Sequence, residues 1–237
     1  MTILFNLKQK FEKFDENWRA DLEKSFSSSN KKSAEKHAFW IDHEFLRVLY
    51  HNKFQIAPGV FRANQPSEKR ILKWQKENGV QSIINFRGKS NQGAFLIEKN
   101  KCKEIGVNLI NIKLYSSKLP EKEKIFEIND VFKNIKKPFL MHCKSGSDRA
   151  GLGSALYFLL VLNTPVEIAQ KQLSFKFLHL GGWTAGILDF MLMEYRLAFE
   201  KHRIKFLEWI EKSYHREEMT QRYIDFRKNS HWFKIPR

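Results

Sequence analysis

One segment limits the fold of this chain more than any other: Phe139-Leu140-Met141-His142-Cys143-Lys144-Ser145-Gly146-Ser147-Asp148-Arg149-Ala150-Gly151. Residues 138–142 read as a short buried strand, and residues 151–162 as a helix rich in apolar side chains. A buried strand that ends on His-Cys and turns within a few residues into a helix belongs in a sheet covered by helices. The spacing also carries chemistry. A thiol is a useful nucleophile only as thiolate, and a helix N-terminus beside an arginine lowers its proton affinity. The amides from Lys144 to Arg149 can curl around a phosphate, with Lys144, Ser145, Gly146 and Ser147 as the cradle. Arg149 offers a planar fork to two phosphate oxygens, which a lysine could not reproduce. Gly146 gives the loop a residue that tolerates positive φ. A buried structural cysteine beside an unrelated arginine is the competing reading, but His, Cys and Arg are scarce enough that the pattern seldom arises by chance.

The rest of the chain fits around that segment. Residues 54–56 and 60–62 read as strands flanking the Pro58-Gly59 turn, and Ser67 caps a helix that ends at Asn78-Gly79. Residues 80–86 and 107–114 read as further strands, with helices over 94–104 and 120–135. Strands alternating with helices predict a mostly parallel or mixed α/β sheet. After Arg149 only helices are expected: 151–162, one opened by Thr164 as N-cap with Pro165 in its first turn, and one or two long helices over 184–210. The last residues, to 237, are polar and aromatic with weaker periodicity. At the other end, Leu4, Leu7, Phe11, Phe14, Trp18 and Leu22 recur at helical spacing, which predicts a helix docked on the main body, with a membrane-surface helix as the alternative. Residues 25–36 read as a polar loop, followed by a second helical patch over 39–50. The expected organisation is a helical extension over 1–51, a central domain over 52–200 and a helical, polar extension over 201–237.

Composition narrows the setting. Two cysteines, Cys102 and Cys143, do not make a disulfide framework and suit a reducing compartment. No apolar run approaches the roughly 18–20 residues of a membrane span, and no signal-peptide pattern opens the chain, so the cytoplasm is expected. The net charge of +16 suits an anionic substrate or peripheral contact with an anionic surface, although scattered lysines alone produce it. No RNA-binding, zinc-finger or basic-helix pattern indicates nucleic acid. His37 and His43 lack metal-ligand spacing, so no metal site is expected.

The loop HCKSGSDRAG resembles the HCxxGxxR active-site loop of the protein tyrosine phosphatase superfamily, in its compact dual-specificity-like branch known from bacteria, fungi and plants. Upstream, Phe61-Arg62-Ala63-Asn64-Gln65-Pro66 and Ile83-Ile84-Asn85-Phe86-Arg87-Gly88 are similar to that branch's YRSxQP and IINLRG segments. Downstream, Gln172-Leu173-Ser174, His179 and Thr184-Ala185-Gly186-Ile187 resemble helical parts of its bacterial members. The resemblance covers about residues 52–200. It implies a central four- to five-stranded sheet with helices on both sides, metal-free and cofactor-free chemistry, and a phosphocysteine intermediate formed on Cys143. It makes Arg149 the group that stabilises the transferring phosphoryl, and His142 a support of the thiolate from behind the loop. Arg87 is expected to brace the loop or line the pocket, with Lys89 and Arg62 similar. The substrate it implies is a phosphorylated protein, or an inositol phosphate or anionic phospholipid headgroup.

Two departures stand out. Ala150 occupies the position where family members often carry Ser or Thr, whose hydroxyl helps the thiolate leave; Ser145 or Ser147 could substitute. The loop that commonly supplies an acidic proton donor, 115–121 here, contains no Asp. Glu121 and Glu123 are candidates, but a Pro followed by acidic residues also begins an ordinary helix. Asp148 resembles the Asp of "KDR" loops, to which a proton-donor role is assigned; its plain alternative is a surface Asp paired with a lysine. Retention of Cys143 and Arg149 argues against a phosphate-binding pseudophosphatase, and the Cys-to-Arg spacing against a rhodanese-like sulfurtransferase. Cys102 reads as either a partner for oxidised Cys143 or an inert thiol.

Overall fold

The computed structural model describes residues 2–24, 31–181 and 184–229. Five strands, β1 (Phe54–Ala57), β2 (Val60–Ala63), β3 (Ser82–Asn85), β4 (Asn108–Asn111) and β5 (Phe139–His142), form one sheet in the order β1-β2-β5-β3-β4. The helices before and between the strands are α1 (Thr2–Lys24), α2 (Lys31–Trp40), α3 (Glu44–Leu49), α4 (Glu68–Asn78), α5 (Gly93–Glu104) and α6 (Lys122–Asn134). After β5 come α7 (Asp148–Leu160), α8 (Val166–Gln170), α9 (Gly186–His202), α10 (Phe206–Lys212) and α11 (Arg216–Asn229). The hairpin of β1 and β2 is antiparallel and the other pairings are parallel, which is the mostly parallel α/β sheet expected.

The sheet is buried on both faces, and its central strands are mainly apolar, with polar residues only at their ends: SIIN in β3 and FLMH in β5 are buried at every position. Alternation along each strand separates two cores. Ile84, Phe139 and Met141 join the larger cluster with side chains from α6, α7 and α9, whereas Ile83 and Leu140 join a smaller one with Ile71 and Trp74 of α4 and Cys102 of α5. β5 inserts between β2 and β3, so His142 is in register with both Ala63 and Asn85. The loop after β5 therefore opens at the carboxyl edge, between the ends of two flanking strands, where α/β sheets bind ligands.

The flanking helices differ from expectation in several places. Residues 25–36, read as a loop, are helical from Lys31; residues 25–30 lie outside the described residues. Helicity there is tertiary in origin: Ala34 is buried beside Leu22, Phe95 and Leu96, and Trp18 Nε1 donates to Ser33 Oγ at 2.9 Å. The apolar stripe of α1 docks only through its last turns. Leu22 is 1% exposed, whereas Phe5, Leu7, Phe11 and Phe14 are each more than half exposed, and the side chain of Leu4 lies outside the described residues. The long stretch 184–210 breaks at Arg203, in the left-handed region at φ 53°, giving α9 and α10. Pro165, not Thr164, occupies the N-cap of α8, because the Thr164 hydroxyl donates back to the Phe158 carbonyl. The weakly periodic C-terminal stretch forms α11, whose Met219 and Tyr223 enter the larger core with Phe206, Trp209, Ile210 and Tyr214.

Candidate active site

Cys143 follows the last residue of β5 and is 1% exposed, at the top of the larger core. The chain then turns through Gly146, at φ 75°, and enters α7 at Asp148. That conformation requires glycine twice over. A Cβ there would adopt a strained φ and would lie 2.7 Å from the Ala63 carbonyl carbon and the Asn64 nitrogen. The N–H groups of Lys144, Ser145 and Gly146 meet no acceptor among the described residues, and those of the first turn of α7 have none within the helix. A run of unpaired backbone donors at a helix N-terminus is of the kind that binds a phosphate. Arg149 is half-buried and has no hydrogen-bond or ion-pair partner among the described residues, so its guanidinium is uncommitted.

The loop carbonyls are held from the opposite side. Arg62, wholly buried in β2, donates from Nη2 to the Gly146 and Ser147 carbonyls at 2.8 and 3.0 Å and from Nη1 to the Gln172 carbonyl at 2.8 Å. Its guanidinium lies 3.9 Å from the centroid of Phe177. Burial pushes Arg62 down to about 10, while the neighbouring Cys143 and Asp148 act to raise it. Asn52 adds a donor to the Ser145 carbonyl at 3.1 Å. Carbonyls drawn back toward β2 leave the amides turned the other way.

Asp148 is paired, but with a histidine and not a lysine. His179 Nδ1 lies 2.7 Å from Asp148 Oδ1, and its Nε2 lies 2.6 Å from Asp189 Oδ2 on α9. Burial opposes the charge on His179, but the two carboxylates outweigh it and push the imidazole up to about 9. Ser147 Oγ donates to the Leu178 carbonyl at 2.8 Å and lies 3.0 Å from Asp148 Oδ1, so its single proton is already engaged. Ser145 Oγ lies 3.4 Å from the Ser147 nitrogen, and Ala150 is fully buried. Of the other acidic candidates, Glu121 occupies the N-cap position of α6, makes no capping bond with its side chain and pairs with Arg216 at 2.7 Å, and Glu123 stands in the first turn of the same helix.

Behind the cysteine runs a buried polar chain. His142 Nε2 lies 2.7 Å from Glu98 Oε1, with both side chains fully buried. Glu98 accepts from Gln65 Nε2 at 3.0 Å, and Gln65 in turn accepts from Arg87 at 2.9 Å. Arg87 also donates to both oxygens of Asp42, at 2.7 and 2.8 Å, and to Gln92. Among the described residues, the bonds of the Arg87 guanidinium are thus all to bracing groups. Burial acts to raise the Asp42 carboxyl, but Arg87, Arg47 and Lys144 outweigh it and hold the group below the usual carboxylate range. Lys144 Nζ lies 3.4 Å from Asp42, which ties the segment between α2 and α3 to the loop. Lys89 is exposed. Cys102 lies in the smaller core with burial and Glu98 pushing its thiol up to about 12, on the opposite side of the sheet from Cys143. Asp42, Glu98, Asn52 and Asp189 carry no spacing signal in the sequence; Gln65 and His179 stood only within segments of resemblance.

Residues 52–164 match the family model described as "DSP-PTPase phosphatase fused to NAD+ Kinase". Among solved structures, TpbA of P. aeruginosa is 18% identical over 63% of this chain and 91% of its own, with a TM-score of 0.48. The catalytic domain of the PP-IP phosphatase SIW14 from S. cerevisiae is 15% identical over 76% and 96%, with a TM-score of 0.45. No curated protein matches the sequence. Among the described residues, no helix is long and apolar enough to cross a membrane. The residues that match the model of a dual-specificity-type phosphatase domain, 52–164, hold the five strands, the loop after β5 and α7.

Proposed function

We propose that this chain hydrolyses phosphate monoesters through a phosphocysteine intermediate on Cys143. The observation that supports the reading is the loop itself: within six residues of Cys143 stand amides and an arginine, Arg149, without partners among the described residues, while Arg62 bonds the Gly146 and Ser147 carbonyls. The Cys143 thiolate attacks phosphorus, and the amides of residues 144–149 with Arg149 stabilise the equatorial oxygens as charge develops. Asp148, in the first turn of α7, protonates the leaving oxygen and then takes a proton from the water that cleaves the P–S bond. Glu121 is the weaker candidate, since its carboxylate is engaged by Arg216. His142 supports the nucleophile from the buried side, and Arg87 braces the loop through Gln65, Glu98 and Asp42. The substrate is a phosphorylated protein side chain, or a phosphorylated inositol or lipid headgroup, to which the net charge of +16 is suited.

The test is release of phosphate from an aryl phosphate with chelator present, comparing the wild type with Cys143→Ser and Arg149→Lys. Chelator-resistant turnover lost in Cys143→Ser supports the reading. A folded, reduced wild type that turns over neither aryl phosphates nor a phosphoinositide panel, yet binds inorganic phosphate, refutes it in favour of a phosphate-binding module, the alternative that Ala150 leaves open.

A further inference from the structure

A buried imidazole bridging two carboxylates needs an explanation beyond packing. His179 is fully buried, both ring nitrogens are engaged, and it therefore cannot touch a substrate. It is reached through a local backbone contortion: Leu178 adopts φ 60°, and the Leu178 carbonyl receives the Ser147 hydroxyl. The groups facing it are Asp148 from α7 and Asp189 from α9, with Arg62 of β2 acting on Asp148 from the loop side. Asp148 differs from Asp189 in being accessible: its side chain is 26% exposed against 7%. Its Oδ1 is taken by His179, and its Oδ2 has no partner among the described residues.

We propose that His179 is the positioning residue for Asp148 in phosphoryl transfer, with Asp189 holding the imidazolium in place. This rests on the phosphatase reading above. In the first step the proton on Asp148 Oδ2 passes to the leaving oxygen as the S–P bond forms and the P–O bond breaks. The carboxylate left behind faces an imidazolium already oriented toward it, so the charge that appears on Asp148 meets a fixed opposite charge. In the second step water attacks phosphorus, its proton returns to Asp148, and the Cys143 thiolate departs. Asp189 stays ionised throughout, so the imidazolium keeps both its protons while Asp148 alternates between acid and carboxylate.

The test exploits what a structural role would not change, the dependence on the leaving group. General acid catalysis contributes about 10²–10⁴-fold and matters least when the leaving group is already stable as an anion. Steady-state rates are measured on an alkyl phosphate and on a nitrophenyl phosphate for His179→Ala, His179→Asn, Asp189→Asn, Asp148→Asn and the double variant His179→Asn with Asp148→Asn. The amide of Asn stands where Nδ1 stands, so His179→Asn retains the contact to Asp148 without the charge, and guards against loss of folding in His179→Ala. We expect His179→Ala to lose at least tenfold in kcat on the alkyl phosphate and less than threefold on the nitrophenyl ester, with KM and inorganic phosphate binding little changed. Partial rescue is expected in His179→Asn, and no further loss when it is combined with Asp148→Asn. Equal losses on both esters, or losses that add to those of Asp148→Asn, overturn the inference. A wild type without Cys143-dependent turnover overturns the phosphatase reading instead, which keeps the two failures apart.

Discussion

Replacing Arg62 by methionine tests the claim that the loop is held from behind. Methionine has a similar reach and no donors. The substitution removes bonds of 2.8 and 3.0 Å to the Gly146 and Ser147 carbonyls and two more, of 2.8 and 3.2 Å, to Gln172. Charge-assisted bonds contribute about 1.5–3 kcal/mol each, and acceptors left buried without a donor cost about 1–3 kcal/mol more. Against this stands the unfavourable burial of the cation, visible in its depression from 12.5 to about 10, which is roughly 3 kcal/mol. The net expectation is a loss of about 3–5 kcal/mol, as for other buried charged groups whose partners remain behind. For a chain of this size that lowers Tm by about 6–20 °C. Below the melting range, binding of inorganic phosphate should weaken at least tenfold, because carbonyls no longer drawn toward β2 can rotate into the cradle. Arg62→Lys should recover part of the loss, since one ammonium cannot serve Gly146 and Gln172 as the fork does. Urea unfolding monitored by tryptophan fluorescence, with calorimetric phosphate titration, gives both numbers. If Arg62→Met unfolds within 1 kcal/mol of wild type and binds phosphate equally well, the bracing argument is wrong.

Other outcomes follow from the same geometry. Gly146→Ala places a Cβ 2.7 Å from the backbone of Ala63 and Asn64 at a positive φ, and should cost about 2–4 kcal/mol together with most phosphate affinity, read by the same titrations. His179 is raised from 6.5 to about 9, so its contribution, about 3 kcal/mol, is fully present below pH 6.5 and disappears as pH rises through 9. Urea unfolding between pH 6 and 9.5 should show that decline in wild type and not in His179→Asn; a decline of equal size in both would contradict it. Cys102, pushed up to about 12, should resist iodoacetamide in the native state, and peroxide should produce no Cys102–Cys143 disulfide; a bridged peptide in mass spectrometry would refute this. Gly93→Ala would place a Cβ 2.3 Å from the Ala34 carbonyl oxygen, forcing α2 from α5 and weakening the hold of Asp42 on Arg87 and Lys144. Reduced phosphate affinity in a still-folded Gly93→Ala protein would bear that out, and unchanged affinity would not.

What the sequence discloses here, and what it hides, divides along physical lines. The loop was legible because its chemistry is local: nucleophile, hinge glycine and clamp lie within seven consecutive residues, 143–149, and each needs a particular residue type. The strands β3 and β5 were legible because burial on both faces leaves an apolar run. The second layer was not, because Asp42, Glu98 and Asp189 stand 101, 45 and 46 residues from Cys143 and are brought to it only by three separate helical packings. A lone acidic residue in a helix reads as solvated surface, and nothing within its own turn marks Glu98 as a fully buried partner of His142. The reading of Asp148 shows the same limit in reverse. Its expected alternative was a lysine-paired surface carboxylate, which local charge makes reasonable, yet its partner sits 31 residues downstream beyond a left-handed Leu178. α2 was misread for a related reason: its lysines and serine argue for a loop, and only contact with Trp18, Leu22 and α5 makes the helix stable. The consequence is functional. Since α2 leads into Asp42, and Asp42 reaches both Arg87 and Lys144, the helices before β1 are part of what holds the phosphate loop in shape.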